Sequence, residues 1–164
     1  MAPSIEFRPD RSDREPGAGL LQAMVDELRQ VYDGLDLRGP DMPRAEPEDL
    51  SPPRGAFLVG WQDGTPVCCG GLKRLPDGAA EIKRMFVISE ARGQGVARQL
   101  LGALEEKAAE MGYSVVRLDT GPRQPHARAL YESAGYHPIG NFNGHPVATF
   151  WGEKKIGGTQ AHAV

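Results

Sequence analysis

The residues best suited by type and spacing to do chemistry are Arg92, Gly93, Gln94, Gly95, Val96, Ala97 and Arg98. Two glycines, one residue apart, lie between two arginines. Directly behind them Val96, Leu100, Leu101, Leu104, Ala108 and Met111 recur at helical spacing. The start of a helix presents unpaired backbone N–H groups and the positive pole of the helix dipole. Glycine removes the side chains that would hold a ligand away from those groups, and the arginines add full positive charge. The pattern predicts an anion site, most naturally for phosphate or pyrophosphate.

Several folds place such a turn, and the flanking elements discriminate among them. A P-loop requires Gly-x-x-x-x-Gly-Lys-Ser/Thr, and this chain has no such lysine and hydroxyl pair. A dinucleotide fingerprint requires a small third residue, where Arg98 stands, although Asp119 could imitate its acidic partner. The apolar, β-branched stretch 79–87 leads into the turn as a strand. Before it, 56–61 and 65–75 read as strands joined through Asp63-Gly64, and Asp77-Gly78 marks a second tight connection. Three consecutive antiparallel strands result, where a dinucleotide domain would need crossover helices.

The rest of the chain completes the order. A strand at 5–8 and an amphipathic helix over 17–32 come first. Behind the glycine turn follow the long helix, a strand over 114–119, a helix over 125–134 and strands at 136–139 and 148–155. Strand, helix, strand implies a parallel pair with a right-handed crossover. The segment 34–55 carries Pro40, Pro43, Pro47, Pro52 and Pro53, so it reads as a loop with one short helix near 44–50. Were it to border a site, Asp36, Asp41, Glu46, Glu48 and Asp49 would favour a cationic acceptor. Residues 1–156 are expected to form one domain, and 157–164 a disordered tail.

Arg92-x-x-Gly95-x-Ala97 resembles the Arg/Gln-x-x-Gly-x-Gly/Ala signature of the GCN5-related N-acetyltransferase (GNAT) superfamily. Gln124-Pro-His-Ala-Arg-Ala-Leu-Tyr-Glu-Ser-Ala-Gly-Tyr136 resembles that family's Asn-x-x-Ala-x-x-Leu-Tyr-x-x-x-Gly-Phe/Tyr, with Gln124 in place of the asparagine. The order of elements matches over nearly the whole chain. The resemblance implies an α/β (α+β) fold with a mixed, mostly antiparallel sheet of six to seven strands flanked by helices. It implies acetyl-CoA as co-substrate, lying where two parallel strands splay apart. Carried over by position, the backbone of Met85, Phe86 and Val87 would pair with the pantetheine. An N–H near Val87 would meet the thioester oxygen. The N–H groups from Gly93 to Arg98 would hold the pyrophosphate, with Arg92 beside them, and Gln124 and Tyr131 would line the cofactor.

Acetyl transfer to an amine needs a neutral nucleophile and a proton for the departing thiolate. Glu81 is the expected base, four residues before Met85, where histone-type members of the superfamily carry a catalytic glutamate. His137, Asp119 and Glu153 stand as substitutes. Tyr131, at the family's Leu-Tyr position, is the expected acid. The implied activity is direct transfer of an acetyl group to a primary amine of a small molecule or, as the second choice, of a protein. A non-catalytic acyl-CoA binding module on the same fold is the alternative.

Composition bounds these readings. The chain has 164 residues, 40% hydrophobic and 25% charged, with 21 glycines and 14 prolines. It is large enough for a core without metals or disulfides. A net charge of −3 without a long basic run argues against nucleic-acid binding and membrane docking. No stretch approaches transmembrane length, and the N-terminus lacks the pattern of a secretory signal. Adjacent Cys68 and Cys69 point to opposite strand faces, which suits neither a disulfide nor a metal site. A reducing cytoplasm is the natural compartment, and a homodimer follows by family analogy.

Overall fold

The computed structural model describes residues 2–37 and 39–157. Seven strands form one mixed sheet: β1 (Glu6–Pro9), β2 (Ala56–Gln62), β3 (Thr65–Arg74), β4 (Ala80–Val87), β5 (Val115–Thr120), β6 (His137–Pro138) and β7 (Phe150–Lys155), in the spatial order β1-β2-β3-β4-β5-β7-β6. Helices α1 (Gly17–Val31), α2 (Val96–Glu110) and α3 (Pro125–Ser133) cover it. All strand pairs are antiparallel except β4 and β5, which α2 connects. This is the α+β arrangement expected from the sequence. The proposed tail lies outside the described residues apart from Gly157.

The period-2 alternation of the strands builds a core on each face. Leu58, Cys68, Leu72, Ile82, Val116 and Leu118 meet Val96, Leu100, Leu101 and Leu104 of α2 on one side. Phe57, Val59, Cys69 and Phe86 meet Leu20, Met24 and Val25 of α1 on the other. Cys68 and Cys69 thus part to opposite cores, both free and fully buried. Burial pushes the Cys68 thiol up to about 12, so it behaves as an inert apolar residue.

The proline-rich segment between α1 and β2 differs from expectation. Leu37, Met42 and Leu50 are buried in the α1-side core, so the segment is packed against the sheet. The short helix near 44–50 reduces to a single turn, with Leu50 N–H donating to Pro47 O at 3.2 Å and Ser51 N–H to Glu48 O at 3.3 Å. Pro52 and Pro53 follow at once and have no N–H with which to continue it.

Two irregularities position the site. The parallel pairing of β4 with β5 covers only Ala80 with Val116 and Glu81 with Arg117, after which the strands part. On its other edge β4 bulges against β3: Cys69 pairs with Phe86 but Gly71 with Lys83, so two steps of β3 face three of β4. The extra residue includes Arg84 at φ 61°, a left-handed conformation that costs about 1 kcal/mol or more in a non-glycine residue. The bulge re-aims the strand where the gap opens. Among the described residues no helix is long and apolar enough to cross a membrane.

Candidate active site

The glycine turn has the predicted form. Gly93 and Gly95 adopt φ 77° and 85°, a region open to glycine at no steric cost. Gly95 is the N-cap of α2, no side chain caps the helix, and its first turn holds no acidic residue. Gly93, Gln94 and Gly95 are exposed. The N–H groups of Val96, Ala97 and Arg98 are therefore the orphan donors of a helix start, in a geometry suited to a phosphate.

The arginines contribute differently from the expectation that both add charge to this turn. Arg92 Nε donates to Val87 O at 2.9 Å, and its Nη2 pairs with Glu27 on α1 at 2.7 Å. Its guanidinium also lies over the Phe86 ring at 5.5 Å. Arg92 thus fastens the end of β4 to α1. Arg98 reaches the end of α3, donating to Ser133 Oγ at 2.6 Å.

The gap between β4 and β5 opens into a cavity of about 120 Å³ lined by Lys83, Arg84, Met85, Asp119, Gln124, Tyr131 and His145, together with apolar residues of α1 and Leu35 and Leu37. Ile88 N–H donates to Val67 O on β3. By strand alternation the N–H and C=O of Val87 point the other way, toward the gap, with the carbonyl also accepting from Arg92 Nε. Phe86 falls out of the expected trio, because its backbone is turned to Cys69 on β3 and its side chain is buried in the α1-side core.

Tyr131 is buried in this cavity, with its hydroxyl 3.8 Å from Met85 Sδ. Burial, and then the charge of Asp119, push its pKa well above the ordinary value of 10.0. It stays protonated throughout the useful pH range. Gln124 stands at the start of α3 and accepts a hydrogen bond from Tyr32 Oη at 3.2 Å. Arg123 reinforces this join, its Nη1 donating to Val31 O at 2.8 Å. The end of α1 is thereby tied to the β5–α3 loop.

The two carboxylates share one amide. Asn143 Nδ2 donates to Glu81 Oε2 at 2.8 Å and to Asp119 Oδ2 at 2.5 Å. Its Oδ1 accepts from Trp151 Nε1 and from the backbone N–H of His145, each at 3.1 Å. Every hydrogen-bonding position of this amide is used. Glu81 is 2% exposed and also meets Lys83 Nζ at 3.5 Å. It lines a second cavity, of about 820 Å³, framed by 42–44, Glu48, Asp49, Arg54, 73–76, Phe142 and Asn143. Asp119, not Glu81, shares the first cavity with Tyr131.

The other substitute bases lie elsewhere. His137 is exposed on β6 and stands 3.9 Å from Glu153. Glu153 is held by Arg117 at 2.7 Å, which also grips Asp77 at 2.7 Å. Neither lines a cavity described above. Among the described residues no group of His, Cys, Asp and Glu is assembled to hold a metal.

Sequence reasoning missed Asn143, His145 and Lys83. His145 Nδ1 accepts from the N–H groups of Val147 at 3.1 Å and Ala148 at 3.2 Å, which leaves the ring proton on Nε2. Burial lowers its pKa, against the opposing pull of Asp119. In the window between that lowered value and the ordinary 6.5, the unfolded chain binds a proton that the folded chain refuses. Stability therefore rises with pH through that window and falls on acidification. The expected result is that urea midpoints drop more between about pH 7 and about pH 5 for the native chain than for His145→Asn. Equal drops would remove His145 as the responsible group.

Comparison with known proteins agrees with this geometry. The family model described as "Acetyltransferase (GNAT) family" matches residues 17–136. An IAA acetyltransferase of Azospirillum brasilense is 34% identical over 137 residues, covering 77% of this chain and 90% of its own. The N-acetyltransferase YsnE of Bacillus subtilis is 34% identical over 113 residues, covering 65% and 74%. The crystal structure of a GNAT family acetyltransferase from Elizabethkingia anophelis with acetyl-CoA bound superposes with a TM-score of 0.67, over 93% of this chain and 98% of that one, at 17% identity.

Proposed function

The chain belongs to the GNAT family of acetyltransferases, and on that footing we propose that it moves an acetyl group from acetyl-CoA to a primary amine of a small molecule, directly, in a ternary complex. The observation that carries this is the β4–β5 gap, with a glycine turn at a helix start on one side and Tyr131 buried in its wall. Acetyl-CoA is bound in the Elizabethkingia relative of the same fold. The pantetheine pairs with the backbone of Met85 and Val87 as an added strand would. The pyrophosphate takes the N–H groups at the start of α2.

The acceptor's nitrogen attacks the thioester carbon. The N–C bond forms and negative charge gathers on the carbonyl oxygen, which accepts a hydrogen bond from the Val87 N–H in this reading. The C–S bond then breaks, and the thiolate takes its proton from Tyr131, which is reprotonated from solvent. The proton lost by the amine passes through water to Asp119. Its place in the same cavity as Tyr131 supports it over Glu81, which lies behind Asn143. Glu81 then serves to fix Asn143 and Lys83.

The test couples binding to turnover. Acetyl-CoA should raise the melting temperature, NAD should not, and free thiol should appear from acetyl-CoA with at least one amine of a broad panel. Tight coenzyme A binding without thiol release on any amine would instead establish a non-catalytic acyl-CoA module.

A further inference from the structure

The described lining of the first cavity carries more positive than negative charge, Lys83 and Arg84 against Asp119. Lys83 is 8% exposed, and burial lowers its pKa despite Glu81 and Asp119 nearby. Its ammonium has three N–H donors. Among the described residues its one ion-pair partner is Glu81 Oε2, at 3.5 Å, and that oxygen already accepts from Asn143 at 2.8 Å. A buried charge is costly unless paired and hydrogen-bonded. Arg84, held by the bulge in β4, lines the same wall. Among the described residues Asp119 is the single carboxylate of the cavity's lining.

The reacting end of acetyl-CoA brings no charge to this place. Its thioester is neutral, and its phosphates belong at the start of α2. The carboxylates of the proline-rich segment do not reach it either: Asp36, Asp41 and Glu46 line neither cavity, and Glu48 and Asp49 line only the second. The cationic acceptor expected from that segment therefore lacks its anionic walls here.

Building on the acetyl-transfer reading, the geometry points to an acceptor that carries a carboxylate as well as its amine, an amino acid in chemical class. The carboxylate seats on the cationic wall formed by Lys83 and Arg84, and the amine faces Asp119. The transfer itself is unchanged: N–C forms, C–S breaks, and the thiol leaves with a proton. An ion pair of this kind with charge-assisted hydrogen bonds discriminates strongly, because an acceptor lacking the carboxylate forgoes those bonds to the cationic wall.

The experiment measures thiol release from acetyl-CoA with matched acceptors: aspartate, glutamate, methionine, phenylalanine and lysine, each against its own carboxamide. The expected result is at least one amino acid whose kcat/KM exceeds that of its amide tenfold or more. In Lys83→Met that ratio should fall about tenfold, and Arg84→Gln gives a second reading in case the buried substitution impairs folding. Amides or simple amines used as well as the free acids would overturn the inference while leaving the acetyltransferase reading intact. Coenzyme A binding without turnover on any acceptor would overturn both.

Discussion

Gly95→Asp is expected to cost the protein its affinity for coenzyme A while lowering the stability of its fold only modestly, by about 1 kcal/mol. Gly95 has φ 85°, and a Cβ built there meets nothing nearer than Ala2 Cβ at 3.9 Å. Aspartate is among the few residues that tolerate a left-handed backbone. It is also a favoured N-cap and stabilises a helix start by its charge. The same charge would stand against the pyrophosphate, at the N–H groups meant to receive it. Calorimetric titration should show acetyl-CoA affinity falling by about a hundredfold or more, with only a modest fall in melting temperature without ligand, set by the strain of a side chain at φ 85°. Gly95→Asn, similar in shape and tolerance but neutral, should lose far less. Retained affinity in the aspartate chain would sink the pyrophosphate assignment.

Tyr131→Phe is the second change with a large expected effect. Among the described residues the lost hydroxyl has only Met85 Sδ at 3.8 Å as a partner, a weak contact, so melting temperature should hardly move. The ring remains to pack edge-on against Tyr136, 6.1 Å between centroids. Cofactor affinity should stay within about twofold, while kcat falls by about a hundredfold, the usual scale for a lost proton donor. Burial and Asp119 hold the Tyr131 hydroxyl protonated, so the native chain should show no alkaline loss of rate from this residue near pH 10. Unchanged turnover in the phenylalanine chain would dismiss it as the acid.

How much of this could be read from residues alone follows from the range of the forces involved. The glycine turn is local: two glycines, a helical apolar period and the missing acidic first turn all sit within one short stretch. The hairpins and the parallel crossover also followed from neighbouring elements. The bulge at Arg84 left no mark, since arginine has no preference for positive φ and the conformation is imposed by β3. Arg92 read as a phosphate cation because its partner, Glu27, lies 65 residues away on another helix. Asn143 and His145 sit in a loop without periodicity. They reach Glu81 and Asp119 only because β7 pairs with β5 and returns the loop across the end of the sheet. Glu81 read as the base from its place in β4, but which cavity it faces depends on that same loop.

The parting of β4 from β5 has a consequence beyond catalysis. A sheet normally hides its ladder, and here part of one lies open in the middle of the molecule. A guest that fills the gap acts as a missing structural member, and whatever binds only the folded chain stabilises it by mass action, about 2.7 kcal/mol at a hundred times its dissociation constant. The protein's resistance to heat and proteolysis thus becomes a gauge of the metabolite supply around it.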